Sequence, residues 1–497
     1  MKKMKKIFTS LMSIIALGMV FMSASCGELP EENSSQNAKA FLIWEEVSDA
    51  QTYFVGIEDS NGKVSSYVNT NSNQNYYEWT SLTEGEEYTF KIYAQFSDGT
   101  NTKSSAVERT VCAQNGGRCL RVMGYFLDTS HTVDEQNLHL AITTDGLHWT
   151  ALNSNSSVFK ISTIGGNRVR DPYIVKKPDG KYLMIATDWT TYAADASSLG
   201  NHLLYDGTTS EISSWKYTTS SYWDVNTSCL IFADSDDLIT WKNERQVQMV
   251  SDESKTAFYT KNSNYQFCWA PEIIHNNGEV IFTDPETTET YCYGVIWSGQ
   301  GETNGTTSKS YNAKKNRYET TSGHSTSYRR TFVNFTNDFE TFTEPQVYFD
   351  PQNSNIDCSV CSDDNGKFYL FYKDECSGYY GMAENYSNSL LPNSFNTNYI
   401  YSRAYNGKQV QEAAGGTYNQ GEGMFCFRPN SGVNKWICIL DAHDAKQSKV
   451  FATFETSNFL TWKENDKTSY PSGDIRHGSS VEITLSEMQS LIKEFGF

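Results

Sequence analysis

Residues 178–188 read PDGKYLMIATD, a tight turn with Asp before Gly followed by an apolar run of strand-forming residues. Asn or Asp before Gly between apolar runs is the strongest short-range signal for a β-hairpin. Similar segments, NNGEVIFT, DDNGKFYLFYK and NQGEGMFCF, recur at 276–283, 363–373 and 419–427. The sequence therefore predicts four equivalent hairpins along the chain.

A second repeat consists of Ser or Thr, a polar turn and then an aromatic residue. Copies are present at 141–149, 233–241, 334–342 and 454–462, with a weaker copy at 382–390. The first copy precedes every hairpin. It therefore needs a partner strand from the far end of the chain.

The segment DIRHGSSVEITL at 474–485 is the candidate for that partner strand. Hairpins that alternate with outer strands are typical of radially arranged four-stranded blades, and pairing of the two chain ends removes the free sheet edges. The sequence therefore predicts an all-β fold in which residues 117–497 form a five-bladed β-propeller. Helical character is nearly confined to 486–495.

Residues 38–113 show short alternating runs broken by Asn-Gly and Asp-Gly turns, which predicts a small β-sandwich in front of the propeller. The segment SLTEGEEYTF at 81–90 resembles the tyrosine-corner region of fibronectin type III domains, with Trp44 and Tyr53 as expected core aromatics. We interpret this unit as a spacer. A carbohydrate-binding role is the functional alternative.

The N-terminus has the pattern of an export signal, since four lysines precede an apolar run at 7–22. Ser23-Ala24-Ser25-Cys26 resembles the lipobox of bacterial lipoproteins. The resemblance implies a signal peptide at 1–25, lipidation of Cys26 and a tether at 26–37. We therefore expect a bacterial outer-membrane lipoprotein, periplasmic or exposed at the cell surface, that meets the membrane only through its lipid.

The composition excludes several classes of protein. A formal net charge of −19 makes nucleic acid a poor partner. With 31 Tyr and 11 Trp the chain has enough aromatic residues for a folded core and for stacking on sugars. Eleven cysteines in an oxidising compartment permit disulfides, and Cys112 and Cys119 flank the predicted domain junction, where a disulfide could connect the two units.

The turn glycines provide a register for comparing the repeats. Counting back nine residues from each one reaches the start of the strand that leads into the turn. The residues at that position are Asp171 from Gly180, Trp269 from Gly278, Asp357 from Gly366 and Glu412 from Gly421. Equal offset predicts equal height around the propeller axis. Three of the four residues are acids.

Three carboxylates at one level repel each other and resist desolvation unless they face water, a ligand or a cation. A pair of carboxyl groups is what hydrolysis of a glycosidic bond requires, one as proton donor and one as base or nucleophile. Any single acid before a strand is more often a turn residue. The shared register of Asp171, Asp357 and Glu412 favours a catalytic group, whereas Glu272 is three residues out of register and is set aside.

Five segments resemble the successive inner strands of glycoside hydrolase family 43: VRDPYIVKKPDGKYLMIATD, CWAPEII, NIDCSVCSDDNGKFYLFYK, VQEAAGGTY and RHGSSVEI. The resemblance covers about residues 118–497. It implies an inverting mechanism that needs no organic cofactor, with Asp171 as general base, Asp357 as the carboxylate that tunes and orients, and Glu412 as general acid. Cys358 after the second acid and Ala413-Ala414 after the third depart from the family pattern.

Other residues are candidates for the pocket wall. Trp269, Trp189 and Trp223 are candidate sugar-facing rings, and Arg170 precedes the expected base in the VRDP segment. His477 matches a histidine that in related arabinanases helps to hold a cation or water. A calcium ion near the axis and a hydrogen-bonded interior histidine are both open alternatives.

These features predict an exo-acting glycosidase that acts on terminal linkages of a plant-type polysaccharide, with α-L-arabinofuranoside as the first substrate to test. A β-xylosidase, or an exo-galactanase or galactofuranosidase of the same architecture, is one alternative. A surface lipoprotein that binds glycans without turnover is another. The expected partner is a poly- or oligosaccharide.

Overall fold

A computed structural model describes most of the chain from residue 37 onward. The described ranges are 37–64, 66–97, 103–161, 164–189, 201–203, 209–211, 229–249, 268–300, 308–312, 317–321, 329–351, 354–375, 381–396, 399–401, 420–430, 433–443 and 449–497. The predictions for the signal peptide, Cys26, Trp223 and Glu412 lie outside these residues.

Two sheets form the N-terminal unit, one of two strands in the order β1-β4 and one of four in the order β3-β2-β5-β6. The strands are β1 (Ala38–Ile43), β2 (Ala50–Ile57), β3 (Val68–Asn69), β4 (Tyr76–Leu82), β5 (Glu87–Phe96) and β6 (Val107–Cys112). Trp44 and Tyr53 are each 1% exposed within its core, as predicted. Membership of the fibronectin type III class stays a prediction.

The rest of the described chain is built from strands and one helix. In chain order these are β7 (Arg121–Leu127), β8 (His139–Thr143), β9 (Thr150–Ala151), a 3₁₀ turn (Asn153–Asn155), β10 (Val169–Lys176), β11 (Tyr182–Asp188), β12 (Asn201–Leu203), β13 (Thr209–Glu211), β14 (Cys229–Ser235), β15 (Trp241–Gln248), β16 (Trp269–His275), β17 (Phe282–Thr283), β18 (Thr290–Tyr291), β19 (Tyr293–Gln300), β20 (Ser308–Asn312), β21 (Arg317–Thr321), β22 (Arg329–Thr336), β23 (Gln346–Phe349), β24 (Asn355–Ser362), β25 (Phe368–Asp374), β26 (Gly381–Ser387), β27 (Tyr399–Tyr401), β28 (Gln420–Phe427), β29 (Trp436–His443), β30 (Lys449–Thr456), β31 (Lys463–Asn465), β32 (Ile475–Glu482) and α1 (Leu485–Phe495).

Five four-stranded antiparallel sheets form the blades. Their strand orders, innermost strand first, are β32-β7-β8-β9, β10-β11-β14-β15, β16-β19-β22-β23, β24-β25-β26-β27 and β28-β29-β30-β31, numbered here as blades 1 to 5. The innermost strands contact one another in a closed ring. Blade 1 joins the two ends of the propeller, because Ile475 on β32 pairs with Leu127 on β7. The predicted all-β five-bladed propeller is confirmed.

Two of the four predicted hairpins are wrong in detail. The segment at 276–283 does not lead directly into the second strand of blade 3, because the β17-β18 ribbon intervenes before β19. The segment at 419–427 is a single strand, β28, in which Gly421 pairs with Ala442. A polar residue before glycine resembled a turn there, but the connection to β29 lies beyond Phe427.

The C-terminal helix α1 joins the N-terminal unit to the propeller. Thr484 and Glu487 form a capping box at its start, and Met488, Leu491 and Ile492 face a core. That core includes side chains of the N-terminal sheet, such as Phe41, together with residues of blades 1 and 2. The N-terminal unit is therefore packed onto the propeller, which the spacer interpretation did not anticipate.

The cysteines at the junction are not bonded to each other. Cys112 and Cys119 are both buried and free, so the expected disulfide there is wrong, and the junction is fastened instead by the Asp145 carboxylate, which accepts the Cys112 N–H at 2.7 Å. A disulfide links Cys426 on β28 to Cys438 on β29. No helix of the described chain has the length and apolar character to cross a membrane.

Candidate active site

All five innermost strands carry the same irregularity, a break in register in which two residues bulge toward the axis. The first residue of each bulge has a positive φ: Asp171 (52°), Ala270 (46°), Asp357 (57°), Gly423 (60°) and His477 (20°). A bulge with one residue in the left-handed region re-aims its side chain, and such strained positions concentrate at functional sites. The five bulges define one ring of equivalent positions around the axis.

This ring corrects the register deduced from turn glycines. The count is right for Asp171 and Asp357, but it reaches Trp269 one residue early, because Ala270 holds the equivalent position. It fails in blade 5, because Gly421 lies within a strand. The count from Gly421 therefore does not place Glu412, which lies outside the described chain and stays a prediction.

Glu422 immediately precedes the bulge of blade 5 and was missed in the sequence. Strand β28, which carries Glu422, lies next to strand β24, which carries Asp357. The negative charge of Glu422 raises the pKa of Asp357.

The Asp171 carboxylate is fixed through both oxygens. Thr187 donates its hydroxyl to Asp171 Oδ2 at 2.6 Å, and His477 Nδ1 lies 3.3 Å from Asp171 Oδ1. The side chain keeps 16% of its surface exposed. It can therefore meet a water molecule while its orientation is held.

Asp357 has more buried surroundings. Burial raises its pKa to about 7, and the negative charge of Glu422 adds to that effect although nearby His477 and Lys373 oppose it. Its Oδ2 lies 3.9 Å from His477 Nδ1. A carboxyl group with this pKa can carry a proton at neutral pH, which is what acid catalysis requires.

His477 lies between the two acids. Burial alone would lower its pKa, but Asp171, Asp357 and Asp441 outweigh burial and raise it. The side chain thus lies in the interior with carboxylates as its partners. Among the described residues no three His, Cys, Asp or Glu side chains are arranged to hold a metal ion. The calcium ion near the axis stays a prediction, and we derive no step through a metal.

Glu272 belongs to this cluster although its sequence position suggested otherwise. It is 5% exposed, two residues beyond the bulge of blade 3. Burial raises its pKa to about 8, against the opposing influence of His477 and of hydrogen bonds from Ser359 and the Val360 N–H. It is therefore largely uncharged at neutral pH.

Two cations hold Glu422. Lys373 on β25 bonds to its Oε2, and Arg476, which precedes His477, bonds to its Oε1. Arg476 also donates to buried Asp441 at 2.8 Å. Opposite charges at this range favour the ionised carboxylate. The proton of the Asp357 and Glu422 pair accordingly resides on Asp357.

Trp189, Trp269 and Arg170, the candidates for a pocket wall, lie on or next to the inner strands of blades 2 and 3. The two indole rings pack with centroids 6.0 Å apart. The Arg170 guanidinium lies 4.1 Å from the Trp189 ring, and Arg329 lies 5.3 Å from the Trp269 ring. Each tryptophan is less than 10% exposed. They form a wall that supports two arginines, and little of either ring face is open to a sugar.

A five-bladed propeller with carboxylates clustered at its axis is an arrangement that suits a glycoside hydrolase. The sequence matches the family described as "Probable glycosyl hydrolase domain", which is related to glycoside hydrolase family 43, over residues 121–489. The chain belongs to that family and is a glycosidase. No curated protein matches the sequence.

Solved structures with a similar architecture are distant in sequence. A glycosyl hydrolase from Bacteroides ovatus is 14% identical, with 87% of this chain and 88% of that chain covered and a TM-score of 0.34. An endo-arabinase from Bacteroides thetaiotaomicron is 13% identical over 63% of this chain and 85% of its own, also with a TM-score of 0.34. The family 62 α-L-arabinofuranosidase of Coprinopsis cinerea is 11% identical over 60% and 67%, with a TM-score of 0.29. At these values none of them bears on the substrate.

Proposed function

We propose that the chain is an exo-acting, inverting glycosidase that releases terminal α-L-arabinofuranose from a plant-type polysaccharide and needs no organic cofactor. One observation carries the proposal of hydrolysis. Asp171 and Asp357 occupy equivalent bulges on either side of His477, with Glu422 adjoining them. The preference for arabinofuranoside rests on the sequence resemblance alone.

In the proposed mechanism Asp171 is the general base. Its partly exposed carboxylate takes a proton from water as that water attacks the anomeric carbon. The leaving oxygen is protonated by Glu412, the general acid that the sequence resemblance implies. Asp357, whose pKa is raised to about 7, tunes and orients the neighbouring groups, and Glu422 stays paired with Lys373 and Arg476.

Leaving-group dependence tests the acid assignment. A variant without the general acid loses much more activity on a poor leaving group than on an activated one. We expect Glu412→Gln to show this split between alkyl and dinitrophenyl α-L-arabinofuranosides, and Glu422→Gln to show none. The opposite pattern would move the role of general acid to Glu422. Asp171→Asn should be inactive on both substrates.

Product analysis tests the reaction itself. Proton NMR during hydrolysis should show inversion at the anomeric carbon, with a monosaccharide released from branched arabinan. Release from xylans or galactans would assign one of the alternative substrates. No product from any of these polysaccharides or from aryl glycosides, together with glycan binding that survives Asp171→Asn, would identify a binding protein instead.

The proposed location is the outer membrane, with Cys26 as the site of lipidation. Its support is the lysine, apolar and small-residue pattern at 1–26. Cys26→Ala should move the protein from the membrane fraction to the soluble fraction and abolish incorporation of labelled fatty acid. Unchanged fractionation would refute the anchor without affecting the enzymatic proposal.

A further inference from the structure

The hydroxyl group of Thr187 makes hydrogen bonds in two neighbouring blades, and one of its partners is Asp171, the proposed general base. It is the sixth residue of β11, fully buried, and lies opposite Arg170 in the sheet. Its Oγ1 donates to Asp171 Oδ2 at 2.6 Å in its own blade. The same oxygen accepts the N–H of Ala270 at 2.8 Å from the bulge of the next blade.

These two contacts fix the direction of the hydroxyl proton. A hydroxyl has one proton and two lone pairs, and the amide of Ala270 can only donate. The proton of Thr187 is therefore free to point at the carboxylate of Asp171. The β-branched side chain restricts rotation about χ1, so the donor is held in place before substrate binds.

The corresponding position in blade 3 makes only the contact between blades, without a carboxylate partner. Ser298, opposite Trp269 in blade 3, accepts the Asp357 N–H at 3.0 Å. Its own blade has Ala270 at the bulge, so it has no carboxylate there to orient. A small hydroxyl residue at this place is thus sufficient to fasten one blade to the next, and the contact with Asp171 is an addition.

We propose that Thr187 is the positioning residue of the general base. The proposal rests on the function proposed for Asp171. By binding Oδ2, Thr187 stabilises the ionised carboxylate and leaves Oδ1, near His477, with its remaining lone pair for the attacking water. The residue does not touch the reacting atoms, and its effect passes through Asp171.

The test compares Thr187→Val, which keeps the shape and removes the hydroxyl, with Thr187→Ser, which keeps the hydroxyl. We expect Thr187→Val to lower kcat about 10- to 100-fold with little change in KM, in the range of a lost hydrogen bond to a charged group. The acidic limb of the pH profile of kcat/KM should move upward, because the ionised base is less stabilised. Thr187→Ser should restore most of both.

Ser298→Ala is the matched control, since it removes an equivalent bond between blades without touching Asp171. It should lower the melting temperature about as much as Thr187→Val and leave the acidic limb in place. Suppose that Asp171→Asn is inactive, as the proposed function requires. The proposal for Thr187 is then overturned if the acidic limb of the pH profile stays in place in Thr187→Val, or if it moves equally in Ser298→Ala. If Asp171→Asn keeps its activity, the proposed function fails first.

Discussion

Glu272→Gln is expected to stabilise the protein by an amount that grows with pH. The group has an ordinary pKa of 4.5 and about 8 in the folded chain. Below pH 4.5 it is protonated in both states. Between pH 4.5 and about 8 the unfolded chain loses the proton and the folded chain keeps it, so stability falls as pH rises.

The magnitude follows from the two pKa values. Their difference of about 3.5 corresponds to about 5 kcal/mol when fully developed above pH 8, and to about 3 kcal/mol at pH 7. Relaxation around the ionised group makes both values upper limits. Gln cannot ionise, and its amide oxygen can accept the hydrogen bonds that Ser359 and Val360 give to the carboxyl group. The stability of the Glu272→Gln variant should therefore not fall with pH through ionisation at this position.

Melting temperatures of wild type and variant between pH 4.5 and 8.5 provide the assay. The difference should be near zero at pH 4.5 and rise to several degrees at pH 8. Glu279→Gln, at an exposed turn after the same strand, is the control and should give no such trend. A difference that does not depend on pH would refute the buried neutral carboxyl.

Two further predictions concern the junction between the N-terminal unit and the propeller. Leu491→Ala, fully buried in α1, should destabilise the protein by about 2 to 5 kcal/mol in chemical denaturation, and exposed Lys493→Ala should have almost no effect. Asp145→Asn removes a buried carboxylate that lies 2.6 Å from His148 Nδ1, with an expected cost of about 3 kcal/mol. Burial opposes ionisation of both groups, but their contact lowers the pKa of Asp145 and raises that of His148. The difference in melting temperature between wild type and Asp145→Asn should therefore be largest between pH 3.8 and 6.5, and it should shrink as pH rises through the raised pKa of His148. A difference that grows above that pKa would contradict the ion pair.

The propeller could be predicted from the sequence because each blade repeats the same local pattern of turn and strand. Asp171 and Asp357 could be placed for the same reason, since both precede a true Asp-Gly or Asn-Gly turn by a constant number of residues. Glu422 could not be placed in this way, because Gln420-Gly421 resembles a turn locally. Pairing with β29 holds that glycine in an extended strand. Long-range pairing overrode the local signal there.

Other features depend on neighbours that are distant in sequence. The burial of Glu272 results from the approach of three other blades, and no periodicity in its own strand reveals that. The positive φ of Asp171 and Asp357 cannot be read from the residue type either, because most aspartates have a negative φ although aspartate enters the left-handed region more readily than most residues. The fastening of the N-terminal unit by α1 joins segments from the two ends of the chain.

The geometry of the site depends on closure of the ring. A non-glycine residue at positive φ costs of order 1 to 3 kcal/mol and persists only when its surroundings hold it. In three bulges the amide is held by the second strand of the preceding blade: Ala270 by Thr187, Asp357 by Ser298 and His477 by Asp441. The last of these joins blade 5 to blade 1, whose innermost strand comes from the end of the chain. Pairing of β32 with β7 therefore does more than remove a free edge. It brings His477 between the two acids and completes the charge balance on which both depend.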